Sequence, residues 1–357
     1  MWRYLRDDGV GAAEGLAFDE AMTAFPQGPP VLRLYTYRSH AALCGRYQHL
    51  EAEINLDACR ASGTAFNRRP TGGGAIIMGE GQLGVAVVGR APAGHRPKQI
   101  LVHYAQGVVA GLNRLGVSAV FGGKNDLVAE GRKIAGLGLY LDPLGGLLFH
   151  ASVLADLDIP FMLEVLDIPV AKLGERAVGA VEQRVTSVTR ETGRPFTGPD
   201  LREPVARGFE DALGIDLEES DPTPEELARA SKLATGKYET EEWLHQRSPQ
   251  ADATAVSLVK TPTGLIRLYL ALSGDTIRSA LFTGDFNEPP SGLRRFETAL
   301  KWSRLDQVEA TAKSLLTEDT GLDPGLLAAA VINAGRNARP LSAPDRSGAC
   351  YYPEESP

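Results

Sequence analysis

Apolar and polar positions alternate between a helical and a strand period along most of the chain. In AAEGLAFDEAMTAF (12–25), Leu16, Ala17, Ala21, Met22 and Phe25 share one helical stripe, and VLRLYTY (31–37) follows as a run of β-formers, so the chain is expected to open helix, then strand. AIIMGEGQLGVAVV (75–88) predicts two strands joined by a glycine-bearing turn. PKQILVHYAQGVVAGLNRLGV (97–117) has a 3.6-residue period that turns Ile100, Leu101, Tyr104, Val108, Leu112 and Leu115 inward, across a sheet. Between 118 and 156 the pattern returns to short strands, with a turn at Glu130-Gly131 and a hairpin signal in DPLGG. Because hairpins dominate, the sheet should be mixed and largely antiparallel, and the fold class α/β (α+β) with packed helices.

Residues 197–247 read as helical and charged, with a capping box at Thr223, Pro224 and Glu226. QRSPQADATA then suits a linker. Beyond it come two strands, GLIRLYLALS and TIRSALFTG, and helices near 291–301, 305–316 and 324–337, which together make a small α+β module. The expected domains are 1–247, 256–338 and a flexible tail, 339–357.

Composition narrows the possibilities. The 357 residues are 43% hydrophobic and 23% charged, ordinary for a globular protein, and the formal net charge of -8 argues against general nucleic-acid binding. No run approaches the ~18 apolar residues of a membrane span, and the start lacks a secretion signal's apolar stretch, so a cytoplasmic protein is expected. Cys44, Cys59 and Cys350 are scattered, with no histidine at ligand spacing, which predicts reduced thiols and no structural zinc.

The candidate chemistry lies in two segments. NRRPTGGGA (67–75) sets paired arginines against three glycines; a tight turn and a bare backbone pressed against an anion both explain it. KNDLVAEGRKIAG (124–136) adds an Asn-Asp pair and two cations, Arg132 and Lys133. Backbone N–H groups, arginine forks and a lysine can hold a carboxylate beside a phosphate, and Asn125 with Asp126 could position Mg²⁺, which takes few protein oxygens. Lys133 could equally be a solvated strand lysine.

Together these segments resemble the paired signatures of the lipoate-protein ligase family, relatives of biotin ligases and octanoyltransferases. AAEGLAFDEAM, LCGRYQ, LLFHASVLADLD and EQRVTSV extend the resemblance over most of residues 1–245, and the module after 255 is similar to the accessory domain of two-domain ligases. The resemblance implies a biotin/lipoate ligase-like catalytic domain that uses ATP and Mg²⁺ to activate lipoate or octanoate as acyl-AMP. The acyl group then passes to a lysine of a lipoyl carrier protein. It implies that Arg68, Arg69 and Gly72, Gly73 and Gly74 line the acyl and adenylate pocket and that Asn125 and Asp126 face phosphate and metal. Lys133 would be the catalytic cation bridging carboxyl and α-phosphate, and Ala75, Met78, Ala135, His150 and Ser152 would complete the site. Met78-Gly79 stands where the family usually has His-Asp, and Gln82 where it has Asn, so one polar edge of the pocket has become apolar. The competing readings are an octanoyltransferase, which would need an activated cysteine, and a lipoyl-binding relative without catalysis.

Overall fold

The computed structural model describes residues 1–24, 28–167, 177–262, 264–316 and 321–338. The chain divides into two compact units, residues 1–248 with 285–288, and residues 249–284 with the described residues from 289 onward. The expected tail, 339–357, lies outside the described residues, as does Phe25 of the first helical stripe.

The first unit is a mixed α/β structure built on an eight-stranded, mostly antiparallel sheet. Its strands are β1 (Trp2–Val10), β2 (Val31–Tyr37), β6 (Gln82–Arg90), β7 (Ala119–Gly122), β8 (Asp126–Ala129), β9 (Arg132–Leu141), β10 (Gly146–Leu154) and β11 (Leu217–Glu219), in the order β11-β1-β2-β6-β10-β9-β8-β7. Only β11, β1 and β2 run parallel; the other neighbours are antiparallel. A smaller sheet sets β3 (Ala41–Cys44) between β4 (Ala65–Arg68), which is parallel to it, and β5 (Ile76–Met78), which is antiparallel.

The hairpins fall where turn chemistry put them. Glu130 and Gly131 both have positive φ, 50° and 74°, as a two-residue turn joining β8 to β9 requires. Asp142 caps the β9–β10 turn by accepting from the Leu144 N–H at 2.7 Å. β1 is a strand that the apolar pattern missed. Its charges are half-hidden by partners: Arg3 reaches Glu226 at 2.5 Å, and Asp7 receives the guanidinium of Arg33.

Helices cover both faces. Helix Pro97–Arg114 lays Ile100, Leu101, Tyr104, Val108 and Leu112 on one face, together with helix Arg202–Leu213. Helix Ala12–Thr23 and helix Pro224–Leu233 close the other, where Leu16, Phe18, Tyr35, Met78 and Leu148 are buried. The capping box forms as read: Thr223 N–H donates to Glu226 at 2.8 Å, and Glu226 N–H to Thr223 Oγ1 at 3.2 Å.

The second unit is an antiparallel sheet of β12 (Ala255–Thr261), β13 (Gly264–Ser273) and β14 (Thr276–Gly284), with helices Leu293–Leu300, Val308–Leu315 and Pro324–Arg336. β12 occupies the end of the expected linker and continues past it. Its alternation places Val256 and Leu258 outward, a weak strand signal by pattern alone. Among the described residues, no helix is long and apolar enough to cross a membrane.

Candidate active site

Two cavities meet at Lys133. The narrower, about 90 Å³, runs over the sheet face beneath helix Ala12–Thr23, with Leu16, Tyr35, Leu43 and Met78 among its apolar walls. The wider, about 250 Å³, is walled by Ile77, Leu154, Leu157, Met162, Val181 and Val185 and carries a second cation, Arg184. Ala75, Ile76, Lys133, Gly136 and Ser152 line both.

Register explains the junction. The β8–β9 ladder slips between Leu127 and Val128, so that Asp126 lies opposite Gly136 while Val128 faces Lys133. This bulge re-aims the lysine along its own strand. Its ammonium sits 3.1 Å from where a Cβ on Gly136 would be, and Ser152 Oγ is 3.4 Å from the same point, so a side chain at 136 would crowd the cation. Lys133 Nζ pairs with Asp126 Oδ1 at 2.7 Å, both side chains being about one-third exposed (36%). Its backbone is fixed by Val185's neighbours: Lys133 N–H donates to Arg184 O, and Thr186 N–H to Lys133 O, each at 2.8 Å.

The glycine run forms the opposite wall. Gly73 and Gly74 line the narrow cavity, and Gly73 has φ +92°, open to glycine without strain. Arg69, 8% exposed, holds the run from behind by donating to Leu43 O (3.0 Å), Gly72 O (2.8 Å) and Gly74 O (2.6 Å). Burial lowers its guanidinium to about 10, so it remains a cation at neutral pH; it is bonded to carbonyls and, as expected, lines the narrow cavity. Asn125 donates to Leu137 O at 2.9 Å and lines the same cavity.

Deeper in, His150 Nε2 lies 2.9 Å from Asp19 Oδ2, and Asp19 Oδ1 accepts from Arg33 Nη1 at 2.8 Å. Arg33 is itself stacked between Phe18 and Tyr35. Burial pushes Asp19 up, but Arg33 and the His150 hydrogen bond outweigh it and hold the carboxyl below its usual range. Sequence reading overlooked Asp19 and Arg33. The available signal was an acid beside the buried stripe of one helix and a lone cation inside an otherwise apolar strand.

Several expected site residues stand elsewhere. Arg68 is fully buried and gives its donors to the carbonyls of Gly45, Arg46, Gln48, Trp243 and Leu244, so it fastens the loop and not a ligand. Gly72 does not line either cavity; the place of its Cβ is filled by the backbone of Phe286 and Asn287. Ala135, one residue out of phase with Gly136, points to the opposite face and packs in the core with Leu127 and Val153. Asp126 touches the site through Lys133. Among the described residues there is no cluster of three or more metal-ligating side chains, so Asp126 stands as a single carboxylate. Arg69, Gly73, Gly74, Ala75, Met78, Asn125, Lys133, His150 and Ser152 do converge.

The thiols are remote from this chemistry. Cys44 is fully buried in β3, where burial pushes it up to about 11, and burial likewise raises Cys59; neither lines the cavities. Cys350 lies outside the described residues.

Residues 12–210 match the lipoyl protein ligase A/B catalytic domain. An octanoyltransferase LipM of Geobacillus kaustophilus is 30% identical over 276 residues, 69% of this chain and 99% of the relative. Among solved structures, one from a study of a bipartite lipoate-protein ligase and its E2 lipoyl domain from Thermoplasma acidophilum is 30% identical, with a TM-score of 0.63 over 68% of this chain and 96% of the other. Lipoate-protein ligase A bound with ATP is 29% identical, with a TM-score of 0.61 over 68% and 98%.

Proposed function

The chain belongs to the lipoyl protein ligase A/B catalytic domain family, and within it we propose an ATP-dependent lipoate-protein ligase that activates lipoate or octanoate and acylates a lysine of a lipoyl domain. The observation that carries this reading is the Lys133 ammonium at the junction of two cavities, with no thiol among the described residues that line either wall. The acyl chain enters the narrow, apolar-walled cavity, and the adenylate takes the wider one beside Arg184. A carboxylate oxygen attacks the α-phosphorus of ATP, the bond to the β-phosphate oxygen breaks, and pyrophosphate leaves. The neutral lysine amine of the carrier then attacks the acyl carbon, AMP departs with the bonding pair, and the amine proton is lost to solvent.

Lys133 lies where charge accumulates in both steps, and a preorganised cation there favours the transition state more than the ground state. To serve, it must exchange Asp126 for substrate oxygens. Asp126 with phosphate oxygens suits Mg²⁺, an ion that keeps most of its waters and needs few carboxylates; when bound it would neutralise phosphate charge. Unpaired thiols and nucleotide chemistry both fit a cytoplasmic protein.

The name of the sequence relatives favours a second reading, octanoyl transfer from an acyl carrier protein. That route needs a thiolate nucleophile, and a buried thiol raised to about 11 is a poor one. Pyrophosphate release on mixing the protein with lipoate and ATP, followed by acylation of a lipoyl domain, is the expected result. It should survive replacement of Cys44, Cys59 and Cys350 by serine. Acyl transfer without ATP, abolished in that triple variant, would overturn the ligase reading.

A further inference from the structure

A four-residue segment, Asp285 to Glu288, reaches the glycine run from far along the chain. It follows β14 and precedes helix Leu293–Leu300, yet it belongs to the first unit. Phe286 is 2% exposed and stacks on Tyr47, with ring centroids 5.5 Å apart. Its carbonyl accepts from the Gly73 N–H at 3.1 Å. Asn287 Oδ1 accepts from Asn125 Nδ2 at 3.3 Å, and the same Nδ2 donates to Leu137 O at 2.9 Å, so the Asn125 amide is held through both its hydrogens. The backbone of the segment also fills the place of a Cβ on Gly72, with Asn287 O 2.2 Å and Phe286 O 2.5 Å from that point. The first glycine of the run therefore makes room for this segment and not for a ligand.

These contacts meet at one corner of the narrow cavity. The place of a Cβ on Gly73 lies 3.7 Å from Asn287 Oδ1 and 3.8 Å from Asn125 Nδ2, and Gly73 and Asn125 line the cavity together with Lys133. Asn125 immediately precedes Asp126, the partner of Lys133 Nζ, and is bonded to β9 twice through Leu137, whose N–H donates to Asn125 O at 2.7 Å. One wall is thus a glycine loop, the other is carried by the sheet, and residues 286 and 287 are bonded to both. Resting on the assignment of this cavity to the acyl substrate, we propose that Phe286 and Asn287 staple the glycine run to the Asn125 wall, with Asn287 a positioning residue that fixes the width of the cavity where the carboxyl meets Lys133. Affinity for an acyl chain comes from burial against Leu16, Tyr35, Leu43 and Met78. Rate depends instead on alignment of the carboxyl, where a shift of ~1 Å can cost about a hundred-fold. Loosening the staple therefore acts on turnover and spares binding.

The test follows octanoate affinity by calorimetry, hydrogen exchange of the glycine run, and pyrophosphate release with octanoate and ATP, all on the full chain. Asn287→Ala removes the acceptor for Asn125, and Gly72→Ala displaces the segment through conflict with its backbone. Either variant should hold the octanoate Kd within about two-fold while kcat for pyrophosphate release falls at least about ten-fold. Gly72→Ala should also speed exchange at the Gly73 N–H, which loses Phe286 O. The double variant should be no slower than the slower single one, because both changes undo one staple. Turnover unchanged in both single variants overturns the inference, as do losses that multiply in the double variant or Gly73 exchange unchanged in Gly72→Ala. A Kd that weakens as much as kcat falls also overturns it, since the segment would then only support the pocket. If wild type releases no pyrophosphate yet moves octanoate from an acyl carrier protein to a lipoyl domain, the ligase reading falls, and the same split between Kd and the transfer rate decides the staple.

Discussion

At Lys133 the distinction between a structural and a chemical lysine is energetic. Its pair with Asp126 is about one-third exposed, and such pairs contribute ~0–1 kcal/mol. Lys133→Ala should therefore melt within a few degrees of wild type while acyl-adenylate formation is lost, checked by melting temperature and pyrophosphate release on the same sample. Normal turnover would remove the residue from the chemistry. The glycines separate differently. Gly73 has φ +92°, so Gly73→Ala should cost ~1 kcal/mol or more whatever it does to binding. Gly74 carries no positive φ, and a Cβ there meets only Asp285 Cβ, at 3.8 Å, yet it lines the cavity. Gly74→Val should thus weaken acid binding with little change in melting temperature. If binding is untouched, the glycine run is a turn and no more.

Among elements, the join between β4 and helix Glu241–Leu244 matters most, and Arg68 makes it. Its guanidinium also takes the carbonyls of the loop after β3, so one side chain ties three segments of the first unit. Arg68→Met keeps much of the volume but orphans several buried carbonyls, at ~3 kcal/mol or more. Chemical denaturation should show that loss, with Trp243, whose indole donates to Arg68 O at 2.8 Å, reporting it by fluorescence. A variant as stable as wild type would return Arg68 to the ligand. The bulge in the β8–β9 hairpin acts at the same scale: the register slip points Lys133 at the cavity and leaves Ala135 in the core.

For the whole molecule, carboxyls held by cations and hydrogen bonds set the acid limit. Asp19, Glu51 and Glu226 are each pushed up by burial. Arg33 and His150 pull Asp19 back below its usual range; Glu51's own backbone hydrogen bond and the nearby histidines, and the Arg3 hydrogen bond to Glu226, do the same for the other two. A carboxyl with a depressed folded value contributes stability that is complete above the unfolded value, about 4, and is lost as pH falls through the folded one. The melting temperature should therefore be flat near neutrality and fall steeply below about pH 4. Asp19→Asn should be less stable at pH 7, by ~3 kcal/mol, because Arg33 loses a charged partner in a buried site, and its acid fall should be shallower. An unchanged pH profile would show that the Arg33–Asp19–His150 network contributes nothing.

The sequence by itself determined the family, the mixed sheet, the hairpins of β7 to β10 and the Lys133 segment, because periodicity, turn residues and short motifs are local and survive without contacts. It also placed the Thr223 capping box, whose partners are three residues apart. Only the tertiary structure decided which cations face the cavities. Arg68 and Arg69 are adjacent and chemically identical, yet Arg68 is drawn to five carbonyls, two of them about 175 residues away, while Arg69 holds the nearby glycine loop and lines the narrow cavity. Asp19 likewise meets Arg33 across 14 residues and His150 across 131, and no local pattern encodes such a pairing. The buried hydroxyl of Thr71, which has no hydrogen-bond partner among the described residues, belongs to the same class: whether a buried polar group has a partner depends on everything folded around it.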